Sequence, residues 1–401
     1  MTAPRVGLWL IGACGGVGST ATLGLAALAK NLTDTTSLVT ALPLFEGLKL
    51  DEPAHFVVGG HEIRQAGFRQ TVRELHQRSN VFDAAILAGC DEQLAAWEEN
   101  LRPGTILGSG PTIARLADRP EVGRATTARE AIAQISRDLV EFRQKHRLDQ
   151  VVVVNVSSTE PPFETSDVHT SLAKLNAALD GPTLVLPASS LYAYATLDLG
   201  IPFINFTPSL GATCPALEEL AVARKTTVSG KDGKTGETLM KTVLAPMFAH
   251  RNWEILSWVG HNIFGNRDGL VLDDPVNKAS KVKTKDQVVS GIVGYKPQTL
   301  VSIEYIESLD DWKTAWNHIH YQGFLGTKMI LQFIWQGCDS LLAAPLVLDL
   351  ARLVLLAQRR GEVGVLRHLA CFFKNPHGVQ VHDFFEQFDM LRDYVRGVRG
   401  E

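Results

Sequence analysis

A cluster of glycines near the start of the chain constrains the fold more than any other feature. Residues 12–20 read GACGGVGST and lie between a short apolar run, RVGLWLI, and a helix-like stretch. Glycines here let the backbone turn tightly and approach a phosphate, and the helix N-terminus that follows offers unpaired N–H groups. Strand, glycine-rich turn and helix in this order predict a dinucleotide site. The alternative is a tight turn that binds nothing.

The glycine pattern is an imperfect version of the dinucleotide fingerprint. Cys14 interrupts the strict G-x-G-x-x-G spacing, and no P-loop lysine is present. Glu62, in GGHEIR, is the candidate acid for the cofactor ribose, although it lies farther along the chain than the usual spacing of about 20 residues. The predicted cofactor-binding residues of the loop are Gly12, Gly15, Gly16, Val17 and Gly18.

Short apolar runs alternate with helix-like segments through the first half of the chain. Runs of this kind, apolar on both faces, indicate a parallel sheet that helices cover on both sides. We therefore predict an α/β fold: a doubly wound Rossmann-type nucleotide-binding domain, residues 1–204 and 330–401, with an inserted α+β catalytic and oligomerisation domain, residues 205–329. The predicted strands after the first are 55–60, 84–89, 151–158, 183–190 and 202–209.

Composition excludes several classes of protein. The 401 residues are 45% hydrophobic and 20% charged, with a net charge of -4, so no general basic field attracts nucleic acid or an anionic membrane. Five scattered cysteines without a CxxC predict neither a disulfide framework nor a thiolate metal site, and no metal is predicted. The apolar segment 339–360 is interrupted by polar residues and predicts a core helix. We expect a cytoplasmic protein, because the first residues lack the features of a signal peptide.

The stretch FGNRDGLVLDDPVNKASKVKTK, residues 264–285, has two explanations on spacing alone. Lys281 and Lys285 share one face if the segment is helical, but two lysines at this spacing repel each other and are more often simply solvated. Asn266 and Asp268 suit a turn equally well. The stretch is therefore either a surface loop or the floor of a site for an anionic substrate.

Several blocks in the same order resemble one family. GNRDG, SKVKTK and CDSLLAAPLVLDL, together with PASSLYAYATLDLGIPFIN, VSGKDGKTGETLMKTVLA and SIEYIESLDDWK, are similar to the NAD-dependent myo-inositol-1-phosphate synthase family over most of residues 5–375. The resemblance implies NAD as cofactor, a sugar phosphate as substrate and a homotetramer. It also implies conversion of D-glucose 6-phosphate to 1D-myo-inositol 3-phosphate by an isomerase.

The resemblance also implies the site residues. The catalytic residues would be Lys281, Lys285, Lys313, Asp268, Asn266 and Asp232. Thr235, Thr207 and Ser209 would bind the substrate, and Ser157 and Asp339 would complete the cofactor site. Asp339 precedes the long apolar helix, so it could also be an N-cap.

The chain departs from the family in its phosphate loop and near its end. The family's S-P-Q-N-T loop is here TPSLGAT, residues 207–213, and the stretch VQVHDFFEQFDMLRDYV lacks a further family lysine, with Lys374 the only nearby candidate. Three alternatives therefore stay open. They are a related cyclase acting on another sugar phosphate, an NAD-binding protein without turnover, and a plain NAD dehydrogenase that accumulates NADH.

Overall fold

The glycine-rich segment lies between the first strand and the first helix, as the sequence predicts. In the computed structural model, which describes residues 4–273 and 288–400, strand β1 is Val6–Ile11 and helix α1 is Gly16–Ala29. Every residue of β1 is buried, because both faces of this strand are covered by other elements.

The first sheet has seven strands in the order β11-β6-β5-β4-β1-β2-β3, and all of its neighbouring pairs are parallel. This order reverses between β1 and β4, where doubly wound folds bind their ligands. The predicted fold class is thereby confirmed. The remaining strands of this sheet are β2 (Phe56–Glu62), β3 (Leu101–Pro103), β4 (Gln150–Asn155), β5 (Phe203–Asn205), β6 (Thr227–Gly230) and β11 (Gly364–Val365).

The second sheet has four strands in the order β10-β9-β7-β8. Its strands are β7 (Glu254–Phe264), β8 (Gln298–Tyr305), β9 (Trp312–Gln322) and β10 (Lys328–Cys338). One face packs on the helix Glu237–His250 around Phe248, Trp258 and Ile319. The sheet is mixed: β8 runs parallel to β7, whereas β9 is antiparallel to both β7 and β10.

Helices cover both faces of the first sheet. The helix Asp339–Arg359 is long and apolar enough to cross a membrane by length and composition, but most of it is buried against α1 and β4 as a core helix. Further α-helices after α1 are Phe68–Ser79, Ala84–Glu98, Pro111–Ala114, Ala128–His146, Leu172–Leu179, Ala188–Asp198, Pro215–Ala223, Glu237–His250, Arg267–Leu272 and Phe384–Arg399, and residues 288–293 are also helical.

Two predicted strands are helical or irregular, and two strands cross the predicted domain boundaries. Residues 84–89 open a helix that the Asp83 side chain caps, and residues 183–190 contain no strand but lead into the helix that starts at Ala188. Strand β6 belongs to the seven-stranded sheet although it follows residue 205, and β10 continues the second sheet to Cys338. The chain therefore passes from the first sheet to the second after β6, later than the predicted boundary at residue 204, and it leaves the second sheet after β10, later than residue 330.

Candidate functional site

One cavity of about 440 Å³ lies where the carboxyl ends of the parallel strands face the second sheet. Its walls come from residues that follow β1, β2, β4, β5 and β6, and from the segments that follow β7, precede β9 and follow β10. This is the crevice in which open α/β sheets bind ligands. Of the predicted residues, those that line it are Gly12, Gly15, Gly16, Val17, Glu62, Ser157, Thr207, Asp232, Thr235, Asn266, Asp268 and Asp339.

The glycine-rich loop forms an open cradle at the N-terminus of α1. Gly15 is the N-cap, no side chain caps the helix, and its first turn carries no acidic residue, so the first N–H groups are available to an anion. Gly12 has a φ of +77°, and a Cβ there would lie 2.7 Å from the Ser157 Cα. Gly12 therefore needs to be glycine, whereas a Cβ on Gly16 would displace the Ser340 hydroxyl.

Gly18 and Glu62 support the loop from either side. Gly18 does not line the cavity; a Cβ there would lie 2.5 Å from the Ala13 carbonyl oxygen, so this glycine allows the helix to pack closely. Glu62 ends β2 and is buried, and its carboxylate accepts hydrogen bonds from the backbone N–H groups of Cys14 (2.8 Å) and Arg64 (3.1 Å). Glu62 therefore holds the loop, and its contact with a ribose stays a prediction.

An ion pair joins Asp232 to Lys374 in the cavity wall. The Lys374 Nζ lies 2.8 Å from Asp232 Oδ1, and both side chains are almost fully buried. The second carboxylate oxygen of Asp232 is buried without a hydrogen-bond partner among the described residues. A buried polar atom of this kind costs free energy, so the ion pair with Lys374 is the interaction that stabilises the Asp232 carboxylate in the cavity wall.

From the sequence, Lys374 is only the nearest candidate for the missing family lysine, and the predicted site does not include it. In the structure Lys374 lines the cavity. Its backbone N–H donates to the Asp232 carbonyl at 2.6 Å, so the two residues are joined by main chain and side chain. Long-range pairing of this kind between residues 142 positions apart has no local sequence signal.

Asn266 and Asp268 lie at the start of the helix Arg267–Leu272 and both face the cavity. Asn266 caps the helix by accepting from the Gly269 N–H at 3.0 Å, and its Nδ2 donates to Asp311 Oδ1 at 3.0 Å. Asp268 accepts from the Thr159 hydroxyl at 3.2 Å. The residues whose types favour a turn are therefore also the residues of this segment that face the cavity.

Asp311 is a second residue that the sequence prediction missed. Its carboxylate accepts from the Ser340 N–H at 2.8 Å and the Cys338 thiol at 2.8 Å, in addition to Asn266. Burial, and then the charge of nearby Asp339, raise the pKa of Asp311. Asp311 therefore ties the segment after β7 to the start of the helix Asp339–Arg359.

Lys313 and Asp339 face each other beside the cavity. Lys313 Nζ lies 3.8 Å from Asp339 Oδ1 and 5.0 Å from the centre of the Phe264 ring. Asp339 lines the cavity as the first residue of its helix, and the N-cap is Cys338. Lys281 and Lys285 lie outside the described residues, so their roles stay predictions.

The predicted phosphate loop turns its hydroxyl groups inward. The Thr207 hydroxyl donates to Asn205 Oδ1 at 2.8 Å, and Ser209 does not line the cavity but accepts from the Glu160 N–H at 3.0 Å. Thr235 also lines the cavity. Substrate contacts by Thr207, Ser209 and Thr235 stay predictions, and the hydroxyls of Thr207 and Ser209 have hydrogen-bond partners within the protein.

Comparison with known proteins agrees with this architecture. A family model for myo-inositol-1-phosphate synthase, named as an NAD-binding family, matches residues 6–396. Inositol-3-phosphate synthase 1 from Bacteroides thetaiotaomicron is 32% identical over 99% of this chain and 96% of its own length. Inositol-3-phosphate synthase 1 from Populus euphratica is 30% identical over 89% of this chain and 75% of its own length.

Two solved structures share the fold over nearly the whole chain. The myo-inositol-1-phosphate synthase-related protein from Thermotoga maritima has a TM-score of 0.79 at 26% identity and covers 98% of each chain. The inositol-3-phosphate synthase from Caenorhabditis elegans has a TM-score of 0.86 at 24% identity, covering 98% of this chain and 86% of its own.

Proposed function

Because the chain belongs to the myo-inositol-1-phosphate synthase family, we propose that it is an NAD-dependent isomerase that converts D-glucose 6-phosphate to 1D-myo-inositol 3-phosphate. The observation that carries the proposal is a single cavity lined by both the glycine cradle and the Asp232–Lys374 pair. A dinucleotide site and an acid–base pair in one cavity suit a reaction that combines hydride transfer with proton transfer.

The cradle at α1 fits the pyrophosphate of NAD. The uncapped first turn supplies N–H donors, and Gly12, Gly15 and Gly16 leave room for the phosphates to approach the backbone. Bound there, NAD would accept the hydride of C5 and return it at the end of the reaction. The residues of the chain supply orientation and proton transfer.

The substrate steps between the two hydride transfers develop negative charge on oxygen. Oxidation at C5 creates a ketone, loss of a proton from C6 gives an enolate, and C6 attacks the C1 aldehyde to close the ring. The charge lies first on O5 and then on O1. A fixed cation or donor directed at such an oxygen typically stabilises the transition state by about 3 to 4 kcal/mol.

Lys374 and Lys313 are the described lysines placed to supply that charge. Asp232 holds Lys374 in the wall of the cavity. Asp339 forms a second, longer ion pair with Lys313, in which Oδ1 lies 3.8 Å from Nζ. We assign Lys374 to stabilise a developing oxyanion and Asp232 to orient it.

The phosphate of the substrate needs further cations. Carboxylates outnumber basic side chains in the described part of the cavity wall, so a phosphorylated substrate would meet a net negative surface there. Lys281 and Lys285, which follow the helix Arg267–Leu272 in the chain, are the family lysines that would reduce this excess of negative charge. We propose that they complete the substrate site.

A discontinuous assay tests the proposed reaction. Purified protein is incubated with glucose 6-phosphate and NAD⁺, and inositol monophosphate is sought by ³¹P and ¹H NMR. We expect product with the wild type and its loss in Lys281→Ala. NAD⁺ binding without product from glucose 6-phosphate would overturn the assignment.

A related cyclase acting on a different sugar phosphate is the second candidate. The loop 207–213 favours it, because the family's Gln and Asn are absent and the Thr207 hydroxyl bonds within the protein. A panel of hexose and pentose phosphates in the same assay separates the two candidates. Faster cyclisation of another sugar phosphate would establish the second.

We also propose that the enzyme works as a homotetramer in the cytoplasm. The outer face of the second sheet leaves Ile330 57% and Ile334 68% exposed, and the β9–β10 turn leaves Phe324 86% exposed. Apolar side chains grouped on one sheet face favour burial against a second copy of the chain. The five cysteines are buried and unpaired, as suits a reducing compartment.

A further inference from the structure

Glu160, which follows β4, is a buried acid in the cavity wall to which no step of the proposed reaction assigns a role. Its side chain is 4% exposed. The carboxylate accepts hydrogen bonds from the Ser189 N–H at 2.7 Å and from the Ser189 hydroxyl at 2.5 Å. Burial raises its pKa to about 7, and no basic group of the described chain offsets that effect. A buried carboxyl without a cation is costly to the folded state, so the hydrogen bonds that Glu160 accepts must offset part of that cost.

The hydrogen bonds of Glu160 join three segments of the cavity wall. Its backbone N–H donates to Ser209 Oγ at 3.0 Å, and its partner Ser189 accepts from the Gly211 N–H at 3.1 Å. Ser189 belongs to the helix Ala188–Asp198, whereas Ser209 and Gly211 belong to the loop 207–213. Glu160 and Ser189 therefore hold that loop at two points.

Thr159, the neighbour of Glu160, links the same hydrogen-bond network to the segment that follows β7. Thr159 donates to Asp268 Oδ1 through its hydroxyl at 3.2 Å and through its N–H at 3.4 Å. Asp268 is the second residue of the helix Arg267–Leu272, which precedes Lys281 and Lys285 in the sequence. A shift of the segment at residues 159–160 would thus move both the loop 207–213 and Asp268.

We propose that Glu160 is a positioning residue for the reaction. It clamps the loop 207–213 through Ser189 and Ser209, and it fixes Thr159 so that Asp268 keeps its place in the cavity. Glu160 acts through these residues and needs no contact with the substrate. The consequence for catalysis rests on the proposed function, whereas the clamp itself does not.

Amide hydrogen exchange tests the clamp without any assumption about activity. Glu160→Ala removes the carboxylate oxygens that accept hydrogen bonds from Ser189. Glu160→Gln keeps one acceptor for the Ser189 N–H. Glu164→Gln is the matched control, because Glu164 lies on the same segment and its side chain is exposed. Because Glu160→Ala removes hydrogen bonds that hold the loop, we expect exchange to accelerate about tenfold or more in residues 207–213 and 265–271 of Glu160→Ala alone. Unchanged exchange, or uniform acceleration across the chain, would overturn the proposal.

Steady-state kinetics test the consequence for catalysis. In Glu160→Ala we expect kcat to fall about tenfold or more while the Kd for NAD⁺ changes less than about threefold, with kcat restored by Glu160→Gln. A double-mutant cycle with Thr159→Val is expected to be non-additive in kcat. Faster exchange with wild-type kcat would refute the catalytic role. A wild type that forms no inositol phosphate would refute the proposed function, and the exchange data would still decide the clamp.

Discussion

At the scale of single residues, Lys374 is the group whose removal most directly tests the cavity chemistry. Lys374→Ala removes a cation and leaves Asp232 buried without its partner. We expect kcat to fall by about 10²-fold or more, as for loss of an oxyanion donor. The measurement is initial rate of inositol phosphate formation, after circular dichroism has shown that the variant is folded.

The chain offers a matched control for this substitution. Lys174 forms an ion pair of the same length, 2.8 Å, with Asp167, but both side chains are exposed. Exposed pairs contribute little to stability, so Lys174→Ala should behave as wild type. Equal rates in Lys374→Ala and Lys174→Ala would rule out the assigned role of Lys374.

The buried carboxyl of Glu160 predicts a pH dependence of stability. Its pKa rises from 4.5 to about 7 on folding, so the folded protein keeps a proton that the unfolded chain has lost between these pH values. Its contribution is therefore fully present below about pH 4.5 and is lost as pH rises to about 7, by up to about 3 kcal/mol.

The matching experiment compares denaturant unfolding of wild type and Glu160→Gln from pH 5 to 7. The variant lacks this titration, so the stability of the wild type should decline relative to the variant as pH rises. Other buried acids, such as Asp311, titrate in both proteins and cancel. A constant difference across the range would show that Glu160 does not titrate there.

At the residue scale, sequence predicts position best where the signal is local. Asn266 and Asp268 line the cavity, as their turn chemistry and family order within one short segment predict, and their catalytic roles stay predictions. Asp311 and Lys374 were missed because their importance comes from partners that only the fold brings near. Which way the Thr207 hydroxyl turns is likewise decided by packing and has no sequence pattern.

At the scale of elements, α1 and its glycine cradle give a sharp contrast between two substitutions. Gly12→Ala places a side chain at positive φ and against the Ser157 backbone, which should cost about 1 to 3 kcal/mol and weaken NAD⁺ binding. Gly24 lies within α1, and a Cβ added there by Gly24→Ala would meet nothing within 4 Å. It should raise stability by about 0.5 to 1 kcal/mol.

Thermal unfolding and NAD⁺ titration calorimetry measure both effects. Tighter or unchanged NAD⁺ binding in Gly12→Ala would contradict the cradle at α1. An unaltered Kd in Gly24→Ala is the expected companion result, because Gly24 does not line the cavity.

Short apolar runs in the sequence predict strand β4, but they wrongly predict a strand at residues 84–89. The predicted strand 151–158 is confirmed for residues 151–155, where β-branched residues dominate and β4 is buried on both faces, whereas residues 156–158 lie beyond the end of the strand. Residues 84–89 are equally apolar but continue into helix-favouring residues after the Asp83 cap, so periodicity alone could not separate the two states. Strand β6, TVSG, was missed because it is short and carries little apolar sequence.

At the scale of the whole molecule, the outer face of the second sheet predicts assembly. Replacing Ile330 and Ile334 with lysine places two charges on an exposed apolar face. If this face binds a second copy, the double variant should dissociate into smaller species. Multi-angle light scattering at matched concentration gives the mass; a wild type that is already monomeric would contradict the tetramer.

The most direct test of the central claim follows deuterium from substrate to product. Glucose 6-phosphate labelled with deuterium at C5 is incubated with the enzyme and substoichiometric NAD⁺, with absorbance at 340 nm and ²H NMR recorded together. A synthase that returns its hydride should turn over many times, accumulate no NADH and retain the label in inositol phosphate. Stoichiometric NADH without cyclised product, or product that has lost the label, would contradict the account.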